Sequence, residues 1–121
     1  MPLVRLEITH QEHFASGMEF GDVGSYELLH GIAHYEVDPQ HTANSGIVDL
    51  ALAPTNKRGQ VEFESDFVML HPTNPSRGNG AILYDVVNRG TKTVLTFNSV
   101  PRSQDPMMLV ESGNGFLLRK G

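Results

Sequence analysis

The sequence contains no cysteine and no tryptophan. Without cysteine there is no disulfide framework, no thiolate zinc site and no thiol nucleophile. Positive charge is scarce: 9 Lys and Arg stand against 14 Asp and Glu, a formal net charge of -5. A chain of that sign lacks the positive field on which sequence-independent nucleic-acid binding depends. No stretch approaches the roughly 20 apolar residues of a membrane-spanning helix. The opening MPLVRLEITH has no apolar leader core. The missing leader and the missing cysteine lean toward the cytoplasm without fixing a location. Nucleic acid and membrane are not expected partners, and no cofactor is expected.

Catalytic motifs are missing as well. Ser16, Ser25, Ser45, Ser65, Ser76, Ser99, Ser103 and Ser112 all fail the G-x-S-x-G pattern that exposes a serine on a sharp strand-to-helix turn. Neither G-x-G-x-x-G nor G-x-x-x-x-G-K-[ST] occurs, so GNGA and GNGF are turns or caps rather than phosphate cradles. By composition and spacing alone the chain holds no complete active site.

What is present is strand-like. The 121 residues are the length of one small domain, and 39% are hydrophobic. Residues 3–9, LVRLEIT, alternate apolar and polar, the period of a half-buried strand. The loop FASGMEFGDVGSY bends at its glycines. Residues 26–37, YELLHGIAHYEV, predict a second strand. Tyr26, Leu28, His30, Ile32 and His34 fall on one face; Leu29, Gly31, Ala33, Tyr35 and Val37 fall on the other. Gly31 signals a bulge or a close approach of another backbone. After Asp38-Pro39 a short apolar run, IVDLAL, stops at Ala53-Pro54, and the turn TNKRGQ leads into VEFESDFVML. This last run has the cleanest two-residue period in the chain, and strand 26–37 is its natural antiparallel neighbour.

Residues 81–87, AILYDVV, differ in kind. Apart from Asp85 the run is continuously apolar, which predicts a central strand buried on both faces. Residues 88–106 read as mostly irregular. A short helix is expected near FLLRKG, with Ser112 or Asn114 as its cap, Phe116 and Leu117 packing, Arg119 and Lys120 in the last turn and Gly121 at its end. One short helix is too little to cover both faces of strand 81–87, so the chain reads as a segment of something longer. The expected fold class is mainly β with a short C-terminal helix.

Residues 1–70 hold 3 bases against 11 acids, a net -8, and residues 71–121 hold 6 bases against 3 acids, a net +3. Mutual attraction within one sheet accounts for the asymmetry better than a binding face for an acidic partner, because the bases are dispersed. His10 and His13 form an H-x2-H pair, and His30 and His34 an H-x3-H pair. On a strand, four residues span about 13 Å, too far for one ion. These histidines are therefore expected on the sheet face and not at a metal site. Glu62, Glu64 and Asp66 share a strand face. Paired carboxylates there suit acid–base work, but a solvated face explains the same pattern more simply.

The runs FASGMEFGDVGSYELLHGIAHYEVDP, NSGIVDLALAP, VEFESDFVMLHP, RGNGAILYDVVNRG and SGNGFLLRKG, in that order over nearly all of residues 3–121, resemble the N-terminal part of a family of large alpha/beta hydrolase domain-containing proteins, grouped as esterases. The motifs FGDVGSYE, AHYEVDP and LYDVVNRG together carry the resemblance. It implies that residues 1–71 are the antiparallel strands of an α/β-hydrolase sheet. Residues 81–121 would be its third strand, the loop after it and the first helix. It also implies that Asn88, Arg89 and Gly90 open the loop whose backbone N–H groups line an oxyanion hole. The alternative is an ordinary strand-ending turn. The nucleophile, acid and histidine of such enzymes follow this region in chain order, so none is expected here, and His30, His34 and Asp85 form no triad. The resemblance implies an ester substrate for the complete enzyme only. Its expected partner is the remaining C-terminal hydrolase region. The rival expectation is a free-standing β-rich binding or assembly module that self-associates through strand 81–87 or docks on a second chain.

Overall fold

The computed structural model describes residues 3–87, 94 and 115–121. The expected oxyanion-loop residues Asn88, Arg89 and Gly90 lie outside them, as do the expected helix caps Ser112 and Asn114. Among the described residues the fold is mainly β: three antiparallel strands in the order β1-β2-β3, with one short C-terminal helix. Strand β1 is Leu3–His13, β2 is Tyr26–Val37, β3 is Val61–Pro72, and helix α1 is Phe116–Lys120. β2 has the bounds its alternation predicts, and it neighbours β3 as expected. β1 runs four residues beyond its amphipathic part, because ladder hydrogen bonds need no apolar side chain to continue. β3 closes on Pro72, a residue tolerated at a strand end but not inside a ladder.

Contacts divide the chain into two compact units, Met1–Gln11 with Leu29–Met69, and Glu12–Leu28 with Leu70–Gly121. In the first unit the buried hydrophobic residues are Ala33 and Val37 on β2. Tyr35 of β2 stacks on Phe63 of β3 with ring centroids 4.9 Å apart. Gly31 is explained by close approach. A Cβ built there would overlap the Glu7 carbonyl oxygen and lie 2.6 Å from the Phe67 ring. The turn before β3 is tied by Asn56, whose Oδ1 accepts from Arg58 N at 2.9 Å and Gln60 N at 3.1 Å.

The second unit holds the denser apolar cluster: Phe14, Phe20, Val23, Tyr26, Leu28 and Leu118. Phe20 stacks on Phe14 and meets Tyr26 edge-on, with centroids 6.2 and 5.8 Å apart. Burial of such a side chain contributes about 1.5–3 kcal/mol. The Tyr26 hydroxyl donates to the Leu118 carbonyl at 2.8 Å, which anchors α1. The cap of α1 is Gly115, with no side-chain bond, and Leu118 is the buried residue while Phe116 is exposed. Arg119 and Lys120 do occupy the last turn, and Gly121 follows at φ +84°. A Cβ on Gly121 would lie 2.8 Å from the backbone of Gly78 and Asn79.

The largest correction concerns residues 81–87. They form no strand, and the run is exposed, with Ile82 at 92% and Tyr84 at 81%. A doubly buried strand needs hydrogen-bonding neighbours on both edges and cover on both faces. Among the described residues neither is supplied to this run. The apolar run 47–52 also stays out of the sheet. Leu50–Leu52 coil into one 3₁₀ turn, and Ile47, Val48 and Leu52 are exposed.

Candidate functional site

The segment that enters the expected oxyanion loop is described up to Val87. Its one polar residue, Asp85, accepts a hydrogen bond through Oδ2 from Val94 N at 3.2 Å. This bond joins two residues that flank Asn88, Arg89 and Gly90 in sequence. Asp85 thus has a main-chain partner.

A polar cluster that the sequence does not announce lies in the first unit. Residues of one parity on adjacent antiparallel strands face each other, and here they bring Arg5 and Glu7 of β1, His34 of β2 and Glu64 of β3 together. Arg5 Nη1 donates to Glu7 Oε2 at 2.7 Å, and Arg5 Nη2 lies 2.9 Å from His34 Nε2. His34 Nε2 is 3.2 Å from Glu7 Oε2, and its Nδ1 is 3.5 Å from Glu64 Oε2. Arginine only donates, so at the 2.9 Å contact His34 Nε2 accepts. The neutral ring then carries its proton on Nδ1, toward Glu64. In the protonated ring Nε2–H donates to Glu7 instead. The bond from Arg5, reinforced by His34, holds the Glu7 carboxyl below its ordinary value.

The cluster links three strands through polar contacts and has no nucleophile. Among the described residues, the polar partners of His34 are Arg5, Glu7 and Glu64. Nor do the residues suit a metal, because His34 turns its two nitrogens toward different carboxylates. No group of three or more His, Asp or Glu suited to an ion occurs among the described residues.

The other sequence candidates separate. His30 lies edge-on to His10, with centroids 6.2 Å apart, and its Nε2 is buried with no hydrogen-bond partner among the described residues. His30 and His34 therefore serve different surroundings, as four residues of strand require. Glu62 accepts from Asn56 Nδ2 at 2.8 Å, Glu64 faces His34, and Glu62, Glu64 and Asp66 are all exposed. Glu36 pairs with Arg58. The signal for the His34 cluster is visible only when β1, β2 and β3 are laid side by side in register. Among the described residues no helix is long and apolar enough to cross a membrane.

Comparison with protein-family models, curated proteins and solved structures finds no match to this chain.

Proposed function

We propose that the chain is the N-terminal structural segment of a serine-type ester hydrolase, inactive alone. In this reading it supplies the antiparallel strands, and residues 81–87 become the third strand once they have neighbours. Asn88, Arg89 and Gly90 then offer backbone N–H groups to the developing oxyanion. The serine, acid and histidine come from elsewhere. The observation that supports the reading is the run AILYDVV. It is rich in β-formers and openly exposed, although such runs are otherwise buried. The resemblance of LYDVVNRG and its companion motifs supplies the reaction class.

The test has two arms. The purified 121-residue chain is treated with an activated phosphonate that labels catalytic serines; no labelling is expected, and labelling overturns the reading. The gene is then translated beyond codon 121. A continuing frame with a later G-x-S-x-G is expected, and an immediate stop codon overturns the reading.

A second reading, a free-standing β-rich module, is favoured by one observation. Tyr26 and Leu118 close a buried bond over 92 positions, which suits a chain that folds unaided. Cooperative melting of a soluble 121-residue chain supports the module. Recovery only alongside a C-terminal fragment supports the hydrolase segment.

A further inference from the structure

β1 is an edge strand, and along residues 3–9 its outer side meets no strand among the described residues. Val4, Leu6 and Ile8 share one face of it and are 53, 50 and 48% exposed. Arg5 and Glu7 share the opposite face. No proline interrupts residues 3–9, and Arg5 is the one Lys or Arg among them. Proteins usually blunt such an edge with proline, lysine or a covering loop, because its unpaired N–H and C=O groups template another strand.

The segment is complementary to itself. Two copies can pair antiparallel about a two-fold axis at Leu6. Leu6 then lies against the partner's Leu6, Val4 against the partner's Ile8, and Arg5 against the partner's Glu7. Opposite residues share a face. One face of the junction therefore becomes an apolar row, with Val4, Leu6 and Ile8 contributed by each copy, and the other carries an opposite-charge pair on either side of the axis. Neighbouring registers fail. Moving the axis to Glu7 sets carboxylate against carboxylate, moving it to Arg5 sets guanidinium against guanidinium, and a one-residue slip turns the apolar rows to opposite faces.

We propose that this edge is a homodimer interface, in which β1 pairs with β1 of a second copy about Leu6 and two three-stranded sheets become one continuous sheet. The contact is isologous, so it closes at two copies. The apolar row supplies the affinity. The exposed charge pairs add little energy but set the register. The interface does not depend on the hydrolase reading.

The test is sedimentation of the 121-residue chain over a range of concentrations, with melting curves to confirm folding. The unaltered chain is expected to dimerise. R5E sets carboxylate against carboxylate at both charge pairs of the junction, and E7R sets guanidinium against guanidinium. Each alone is expected to weaken the dimer by about tenfold or more, since like charges placed directly opposite repel. Mixed together, the two variants are expected to pair with each other, because one chain then offers two acids and the other two bases, and both cross-strand charge pairs are between opposite charges. R5E and E7R each remove a partner of His34, so where either does not fold, L6K carries the comparison. The native chain has no cysteine, so L6C adds one thiol near the axis. Its oxidation to a linked dimer is expected to outpace that of V48C, placed at an exposed loop residue. A monomer at all concentrations overturns the proposal. So does a dimer indifferent to charge reversal, or failure of the folded variants to pair when mixed. Loss of the dimer in I82K but not in L6K overturns it too, by moving the contact to residues 81–87.

Discussion

The hydroxyl of Tyr26 donates a 2.8 Å hydrogen bond to the main-chain carbonyl of Leu118, and both residues are buried. The bond holds the short helix α1 against the aromatic cluster. A five-residue helix is too short to persist by its own hydrogen bonds, so the anchor decides whether it forms. Tyr26→Phe keeps the ring and loses the donor. A loss of about 1 kcal/mol is expected, read from urea unfolding. An unchanged midpoint would show that the bond contributes nothing.

Burial raises the Tyr26 phenol above its ordinary value of 10.0. The folded chain keeps this proton where the unfolded chain has released it. The contribution is complete below the unfolded value and is lost as pH climbs through the folded one. Stability is therefore expected to fall above about pH 10, and to fall less steeply in Tyr26→Phe. Parallel alkaline melting curves for the two chains would count against this.

Glu7 titrates in the other direction. The Arg5 hydrogen bond first, and His34 second, hold its carboxyl below the ordinary value of 4.5. The stabilisation is present above the unfolded value and is lost as pH falls through the folded one. Arg5→Gln is expected to move the Glu7 midpoint upward in a carboxyl-detected NMR titration. A midpoint that stays put would show that Arg5 does not engage Glu7 in solution.

Gly31→Ala places a methyl group into the Glu7 carbonyl oxygen and against the Phe67 ring. Neither a ladder carbonyl nor a packed ring can yield without moving a strand. A loss of about 1–3 kcal/mol is expected in urea unfolding, the range of an overpacked site. Wild-type stability would mean that β1 and β2 approach less closely.

Ala15 lies at φ +50° and Ser16 at φ +54°, two consecutive left-handed residues that each carry a Cβ. Ala15→Gly removes the Cβ clash but adds freedom to the unfolded chain. A net gain of about 0.5 kcal/mol is expected from these opposing effects, read as a higher melting temperature. A lower one would mean that the left-handed turn does not form.

Much of β2 is legible because alternation is local. Tyr26 through Val37 can be assigned without knowing any neighbour, and Gly31 in their midst already signals a near backbone. Burial along the same strand is not legible. Tyr26 and Leu28 are buried on one parity, while Gly31, Ala33 and Val37 are buried on the other. No periodicity can say which face is covered at which end, since the cover comes from residues far away in sequence. Leu118 illustrates the same limit. Amphipathic spacing favours Phe116 and Leu117 for packing, but the position of α1 against Tyr26 selects Leu118.

The cluster of Arg5, Glu7, His34 and Glu64 depends on strand register, which lies beyond any single-strand pattern. Its members come from three strands, and each is an ordinary polar residue when its own strand is read alone.

The sequence by itself determined that this chain is mainly β, that β2 and β3 are neighbours and that a short helix with Arg119 and Lys120 in its last turn precedes Gly121. Those features follow from periods of two residues and from turn chemistry, both set within a few bonds of each residue. Tertiary structure alone decided that His34 stands between carboxylates of two other strands and that AILYDVV, apolar enough for a core, lies exposed. An apolar run states what a segment would gain by burial; only the placement of the rest of the chain supplies, or withholds, the surface that buries it.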